Sequence, residues 1–207
     1  MTGVEIIQSD DFKRCLQFHG HLCPGLCIGY RAAAAGMERL RELRAADEEL
    51  VAIVENDACG ADAVQVLTGC TFGKGNFIFR DYGKQVFTFI SRESGQAVRL
   101  SLRPDAFEVD ERQQALREKM RNRTITPDEN REYWKKHHEK VIAVLEKPLE
   151  ELFEVAQVKV EIPPTARSRA SEPCARCGEP TMVTRLEEAG DGKVCGDCLS
   201  KPGFFKK

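Results

Sequence analysis

The apolar positions change period several times along the chain, and each change predicts an element. Asp10–Gln17 reads as a short helix. A longer one begins at Pro24, because proline at the first helical position has no amide hydrogen to leave unbonded. It runs to about Arg44 on the alanine run Ala32–Ala35 and the pair Leu40 and Leu43, with Gly36 as a slight weakness; its small side chains let another element approach closely. Leu50–Val54 is continuously apolar and predicts a buried strand, with Glu55–Gly60 as the loop beyond it. Ala61–Thr68 predicts a short helix with Val64 and Leu67 facing inward, ended by Gly69. Three strand-like segments follow, Asn76–Arg80, Gln85–Ser91 and Ala97–Arg103. The turn compositions between them, Asp81-Tyr-Gly-Lys and Glu93-Ser-Gly-Gln, predict antiparallel hairpins. In the last strand Val98, Leu100 and Leu102 alternate with Arg99, Ser101 and Arg103, so one face is wet. Pro104–Arg123 reads as a charged helix, and Thr126-Pro-Asp-Glu129 is a capping box that opens another helix toward Glu146, broken at Pro148. Val155–Ile162 alternates again and predicts a closing strand. Residues 163–173 form a polar, proline-rich linker, which separates a core at 1–162 from a tail at 174–207.

Composition narrows the class. With 207 residues, 42% of them hydrophobic, the chain suits one ordinary domain with a small appendix, and wholesale disorder is excluded. A formal net charge of −2 supplies no global basic field for nucleic acid or anionic lipid. No window approaches eighteen uninterrupted apolar residues, and the N-terminus runs into Asp10 and Asp11, unlike a signal peptide. The expectation is a soluble cytoplasmic protein with no membrane partner.

Nine cysteines in such a chain read as metal ligands or reactive thiols before disulfides. Five lie in the first third and four in the last thirty-odd residues, which predicts two chemical centres. Cys174-Ala-Arg-Cys177 and Cys195-Gly-Asp-Cys198 enclose seventeen residues, a spacing at which two knuckles converge four thiolates on one structural zinc. Two disulfides or an iron–sulfur centre are the alternatives. So small a module gains most of its folding free energy from the metal, on the order of 10–16 kcal/mol in comparable zinc peptides. Gly178 and Gly196 fit the knuckle turns. Arg167, Arg169, Arg176 and Arg185 are interleaved with Glu172, Glu179, Glu187 and Glu188, a mixed surface that suits protein contact or plain stability better than phosphate binding, and Phe204-Phe205 is a candidate docking tooth.

The other centre is Phe18-His-Gly-His-Leu-Cys-Pro-Gly25, with two imidazoles and a thiol just before a predicted helix. A thiol there feels free amide donors and the positive end of the helix dipole, which favour thiolate. His19 and His21 alternate, so in an extended segment they point the same way. Asn56-Asp-Ala-Cys-Gly60 repeats the logic at a second helix start. His19, His21, Cys23, Asp57 and Cys59 supply enough donors for an open zinc site, and thiolate-rich sites equally take iron. Cys15 and Cys27 read mainly as small core residues, Cys70 as either core or site, and His137 and His138 as packing or surface residues. Thr71-Phe-Gly-Lys-Gly-Asn76 reads as a tight turn into a strand or as a weak anion nest around Lys74.

The first motif, together with Glu55-Asn-Asp-Ala-Cys59, Val66-Leu-Thr-Gly-Cys70 and Gly73-Lys-Gly-Asn-Phe-Ile-Phe-Arg-Asp-Tyr-Gly83, resembles the FmdE family of formylmethanofuran dehydrogenase subunits over about residues 10–160. The tail resembles four-cysteine zinc ribbons of the DksA/TraR type. The resemblance implies an α+β fold, with a mixed or antiparallel sheet packed with helices plus a small C-terminal zinc ribbon. It implies a homodimer with a metal-capable core pocket of His19, His21, Cys23 and Cys59, with Asp57 and Cys70 as further candidates. It also implies association with a molybdenum or tungsten enzyme of one-carbon metabolism.

The preferred reading is a metalloprotein with zinc or iron in the core and structural zinc in the ribbon. In an enzymatic role, Cys23 and Cys59 act as ligands or nucleophile and His21 as ligand or base. The alternative is an accessory protein that docks to a dehydrogenase or other partner complex through the ribbon. Nucleic-acid binding is disfavoured by charge, and a Cys23-based thiol switch has thin support because the Cys23–Cys27 spacing is one residue longer than CxxC.

Overall fold

A computed structural model describes residues 1–165 and 170–200. The chain divides into two compact units, Met1–Thr165 and Ala166–Lys207. Arg167, Arg169, Phe204 and Phe205, singled out above, lie outside the described residues.

The first unit is α+β. Two short helices open it, α1 (Gly3–Gln8) and α2 (Asp10–His19), followed by α3 (Pro24–Leu40), strand β1 (Leu50–Val54), α4 (Gly60–Thr68), β2 (Phe77–Phe79), β3 (Val86–Ser91) and β4 (Ala97–Leu102). Helices α5 (Glu111–Arg121), α6 (Pro127–Glu146) and α7 (Leu149–Leu152) precede the last strand, β5 (Phe153–Val158). The five strands form one mixed sheet in the order β2-β1-β3-β4-β5. Leu50, Ala52 and Val54 of β1, Phe87 and Phe89 of β3, and Val98 and Leu100 of β4 join the main core with α3, α4 and α6, while Val51, Ile53, Ile90 and Ala97 make a smaller cluster with Ile78 and Val158. Apolar residues on both faces explain why β1 reads as an unbroken apolar run.

Several boundaries differ from the sequence reading, each for a local reason. Helix α1 lies outside the predicted elements; Thr2 and Glu5 close a capping box that stabilises its single turn and a half. Residues 104–110 are not helical, and α5 starts only where the Asp110 side chain accepts a bond from the Gln113 amide. The largest difference is β2. It does not form a hairpin with β3 but pairs parallel with β1, in the register Ala52↔Phe77 and Val54↔Phe79. Helix α4 supplies the crossover that a parallel pair needs. The Asp81-Tyr-Gly-Lys turn instead wraps the end of β1, with the amides of Tyr82 and Lys84 donating to the Glu55 carbonyl at 3.3 and 3.0 Å, and this delivers β3 to the other side of β1. The β3–β4 hairpin and the Thr126/Glu129 capping box form as expected.

Three contacts hold α3 in place. Its Arg31 guanidinium donates to the carbonyls of Val144, Leu145 and Lys147 at 3.0, 2.5 and 2.8 Å, which satisfies the orphan acceptors at the end of α6. At Gly29, an added Cβ would sit 2.2 Å from the Gly60 carbonyl oxygen, so α3 and α4 pack backbone to backbone there. Gly36 similarly faces the Phe89 ring, which a Cβ would meet at 2.2 Å; the glycine that weakens the helix locally admits the sheet.

The second unit contains the hairpins β6 (Ser171–Pro173) with β7 (Pro180–Met182) and β8 (Leu186–Ala189) with β9 (Gly192–Cys195), then the short helix α8 (Gly196–Ser200). Its first strand begins within the stretch read as linker.

Gly29→Ala forces the helices apart and should lower the unfolding free energy by about 1–3 kcal/mol in urea denaturation. Arg31→Met strands the α6 carbonyls and should cost about 1.5–3 kcal/mol in the same assay.

Candidate metal centres

Three local devices assemble the core site. Gly20 ends α2 in the left-handed conformation at φ +90°, which turns the chain immediately after His19. Cys23 is the N-cap of α3, and its Sγ accepts a bond from the Leu26 amide at 3.4 Å. Cys59 precedes α4, and the Gly29–Gly60 contact brings that helix start against the start of α3; a Cβ on Gly25 would lie 3.1 Å from the Cys59 Cβ. As a result one donor atom from each of His19, His21, Cys23 and Cys59 lies within 4.8 Å of all the others. These are the four residues named from the sequence. They do not meet as an extended His-x-His pair, because His19 is still helical; Gly20 folds His21 back so that the two rings stand 4.3 Å apart, tilted by 37°.

Asp62 escapes the sequence reading. Its Oδ2 lies 2.7 Å from His19 Nδ1, and His19 Nε2 lies 3.7 Å from Cys23 Sγ. A carboxylate on Nδ1 fixes the tautomer that leaves the Nε2 lone pair free for a metal. The only sequence trace of this role is an acid one turn after Cys59, at a helix N-terminus where acids are common in any case.

Burial pushes the Cys23 thiol above its ordinary range, outweighing the Leu26 amide bond that favours thiolate, and the neighbouring Cys59 adds to the rise. The helix start alone therefore does not ionise this thiol. A divalent cation among the four donors would supply the missing positive charge, with release of protons. Cys23 is buried, His19 and Cys59 are half-buried and His21 is exposed, so the set opens to solvent on the His21 side.

The other residues fall outside the set. Cys15 and Cys27 are fully buried, and burial raises their thiols to about 11 and about 12, in keeping with core residues. Cys70 is fully buried past the end of α4, and Asp57 is exposed; neither belongs to the group. His137 packs on α6 between Tyr133 and Trp134, with ring centroids at 6.0 and 5.2 Å. Burial, then the charges of Arg117 and His21, lower its pKa. The glycine-rich loop is a turn: Lys74 Nζ donates to the Asp47 carbonyl at 2.9 Å, and buried Asn76 donates to Asp47 and Leu50 while accepting from the Thr71 amide. Its lysine is engaged with backbone.

In the second unit Cys174, Cys177, Cys195 and Cys198 also have sulfurs within 4.8 Å of one another. The first pair flanks the β6–β7 turn, where Gly178 takes φ +75°, and the second spans the junction of β9 and α8. Hydrogen bonds from the backbone at Cys177 and Cys195 hold the Cys174 thiol down to about 6. Arg176 forks onto Asp191 at 2.7 and 3.1 Å and reaches the Cys198 carbonyl at 2.8 Å, bracing the two knuckles.

The family described as "FmdE, Molybdenum formylmethanofuran dehydrogenase operon" matches residues 18–154, which span the His/Cys motif, both cysteine-bearing helix starts and strands β1 to β4 of the sheet. The chain belongs to the FmdE family. A protein of Archaeoglobus fulgidus named as a probable S-adenosyl-L-methionine-binding protein is 32% identical over 204 residues, covering 93% of this chain and 52% of that protein. The chain thus spans about half the length of this curated relative. The crystal structure of a tungsten formylmethanofuran dehydrogenase FmdE-like protein from Syntrophus aciditrophicus aligns with a TM-score of 0.61 at 23% identity, covering 98% of this chain and 95% of that one, which shows a shared fold. Among the described residues no helix is long and apolar enough to cross a membrane.

Asp62→Ala should weaken cobalt or zinc binding at the FmdE core site by about 10–100-fold in a chelator competition, and Asp62→Asn, which still accepts from Nδ1–H, by less.

Proposed function

We propose that this FmdE-family chain is a two-centre metalloprotein, with zinc or iron held in the core by His19, His21, Cys23 and Cys59 and a structural zinc held by Cys174, Cys177, Cys195 and Cys198. The reading rests on the convergence of both donor sets, drawn from distant parts of the chain, to within 4.8 Å. Two imidazoles with two thiols suit zinc and iron alike, whereas four thiols suit a closed structural zinc.

A metal bound in the core supplies Lewis-acid activation of a ligand or of water. The chain's own residues then divide the work. Asp62 orients His19, Cys23 and Cys59 provide the buried anionic side, and exposed His21 is the donor best placed to exchange with an incoming ligand or to act as a base. The burial of Cys23 keeps water from that side of the site. The second cluster is closed by four thiols and braced by Arg176, which suits a structural or docking role.

The family description and the name of the Syntrophus protein support a place beside a molybdenum or tungsten formylmethanofuran dehydrogenase, either as a metal-dependent activity or as an accessory protein docking through the ribbon. The name of the Archaeoglobus relative brings S-adenosyl-L-methionine forward as a ligand to assay, although this chain matches only about half of that protein. A homodimer in the cytoplasm completes the reading, on the strength of the family resemblance.

Elemental mass spectrometry should find two metals per full chain and one in a chain ending at Pro163, with Cys59→Ser losing only the core metal and Cys198→Ser only the other. One metal in the full chain and none in the shortened one would sink the core assignment.

A further inference from the structure

The face of the sheet away from the main core is mostly apolar, but it carries one polar patch that the metal sites leave unexplained. Register places its members side by side. Ile53, Thr88 and Arg99 form a single cross-strand row over β1, β3 and β4, and continuing the parallel β1–β2 register sets Arg80 beside Glu55. The chain beyond β5 forms a wall: Lys159, Val160 and Glu161 line the same cavity, and Arg92 ties the Pro163 and Pro164 carbonyls back to the β3–β4 turn at 2.5 and 3.4 Å. The space is a half-open groove of about 400 Å³, with Ile53, Val158 and the exposed Val160 as its aliphatic lining.

The polar groups around this space are under-used. The Glu55 residue is 9% exposed, and among the described residues its carboxylate reaches only Arg99, in a loose pair at 3.5 Å. Thr88 is 5% exposed. Among the described residues the side chains of Thr88, Arg80, Lys159 and Glu161 make no hydrogen bond or ion pair. Among the described residues no buried side-chain oxygen or nitrogen lacks a partner, so the unbonded polar atoms of this patch are open to the groove and to an incoming ligand. A cavity of this size, with an aliphatic lining and a few convergent polar groups, is the usual form of a small-molecule site.

We propose that this cavity binds a small zwitterion of the α-amino-acid class with an aliphatic side chain. The cationic groups of Arg80 and Lys159 take the carboxylate, Glu55 and Glu161 take the ammonium, Thr88 adds a hydrogen bond, and Ile53, Val158 and Val160 take the side chain. Both signs of charge on one rim select against a simple anion or cation, since each leaves one set unpaired. The site is separate from the metal donors and stands or falls independently of them.

The test is calorimetric titration of the full-length, metal-loaded protein with L-leucine, 4-methylpentanoate (which lacks the ammonium) and L-leucinamide (which lacks the carboxylate). The expected result is that leucine binds at least tenfold more tightly than either analogue. Arg80→Gln, at an exposed position that leaves folding intact, should weaken leucine and 4-methylpentanoate at least tenfold and leave leucinamide unchanged. Glu55→Gln, with folding checked by circular dichroism, should weaken leucine and leucinamide and spare 4-methylpentanoate. No heat from leucine up to about 10 mM, equal binding of all three compounds, or an Arg80→Gln protein that binds leucine normally would overturn the proposal. Metal content measured in the same samples keeps this outcome apart from that of the metal centres.

Discussion

The contact between Gly29 and Gly60 governs the first unit. Two helices can approach until backbone touches backbone only where neither carries a Cβ, and here a Cβ on Gly29 would lie 2.2 Å from the Gly60 carbonyl oxygen. That approach seats the start of α4 against the start of α3, and each start carries a thiol of the core site. The sheet depends on the same packing. Helix α4 is the crossover between parallel β1 and β2, and α3 fits the sheet through Gly36 under Phe89. Small residues on α3 therefore set both the position of the sheet and the geometry of the four donors.

Electrostatics in the core site are unbalanced without a cation. Burial raises the Cys23 thiol although the Leu26 amide points at it, and Asp62 holds His19 with its Nε2 3.7 Å from that sulfur. An imidazole held by a carboxylate and two adjacent thiols are a set that one divalent ion would hold together in deprotonated form. The second unit reaches the same end differently. Backbone hydrogen bonds hold its Cys174 thiol down, while the neighbouring Cys195 sulfur leads in pushing the Cys198 thiol up to about 12, so this cluster too would be evened out by a cation.

Much of this is legible in the sequence where the signal is local. The strand Leu50–Val54, the Pro24 helix start, the Thr126 capping box and both cysteine pairs follow from runs, caps and short spacings, and His19, His21, Cys23 and Cys59 stand out as one donor set from their positions next to helix starts and from the family resemblance. What fails is non-local or conformational. The turn residues 81–84 look like a hairpin connection, yet their amides bond to Glu55 and send β3 to the far side of β1. Lys74 in a glycine-rich loop suggests an anion nest, but its ammonium is held by backbone carbonyls 27 and 28 residues away. Asp62 reads as an ordinary helix-start acid, since its partner His19 is 43 residues earlier.

Residue order alone establishes which chemistry is present, because residue types, helix caps and Cys-x-x-Cys spacings are covalent or nearest-neighbour properties that survive without knowledge of the fold. It also carries the α+β class and the family. Strand order, which imidazole nitrogen faces the sulfur, which of five core-unit cysteines converge with the histidines and which pack in the core, and the meeting of Arg80, Glu55, Thr88 and Arg99 on one face of the sheet are settled only in three dimensions. Those outcomes depend on close approaches between segments tens of residues apart, set by the shape of the packed helices and by strand register, and no local pattern encodes them.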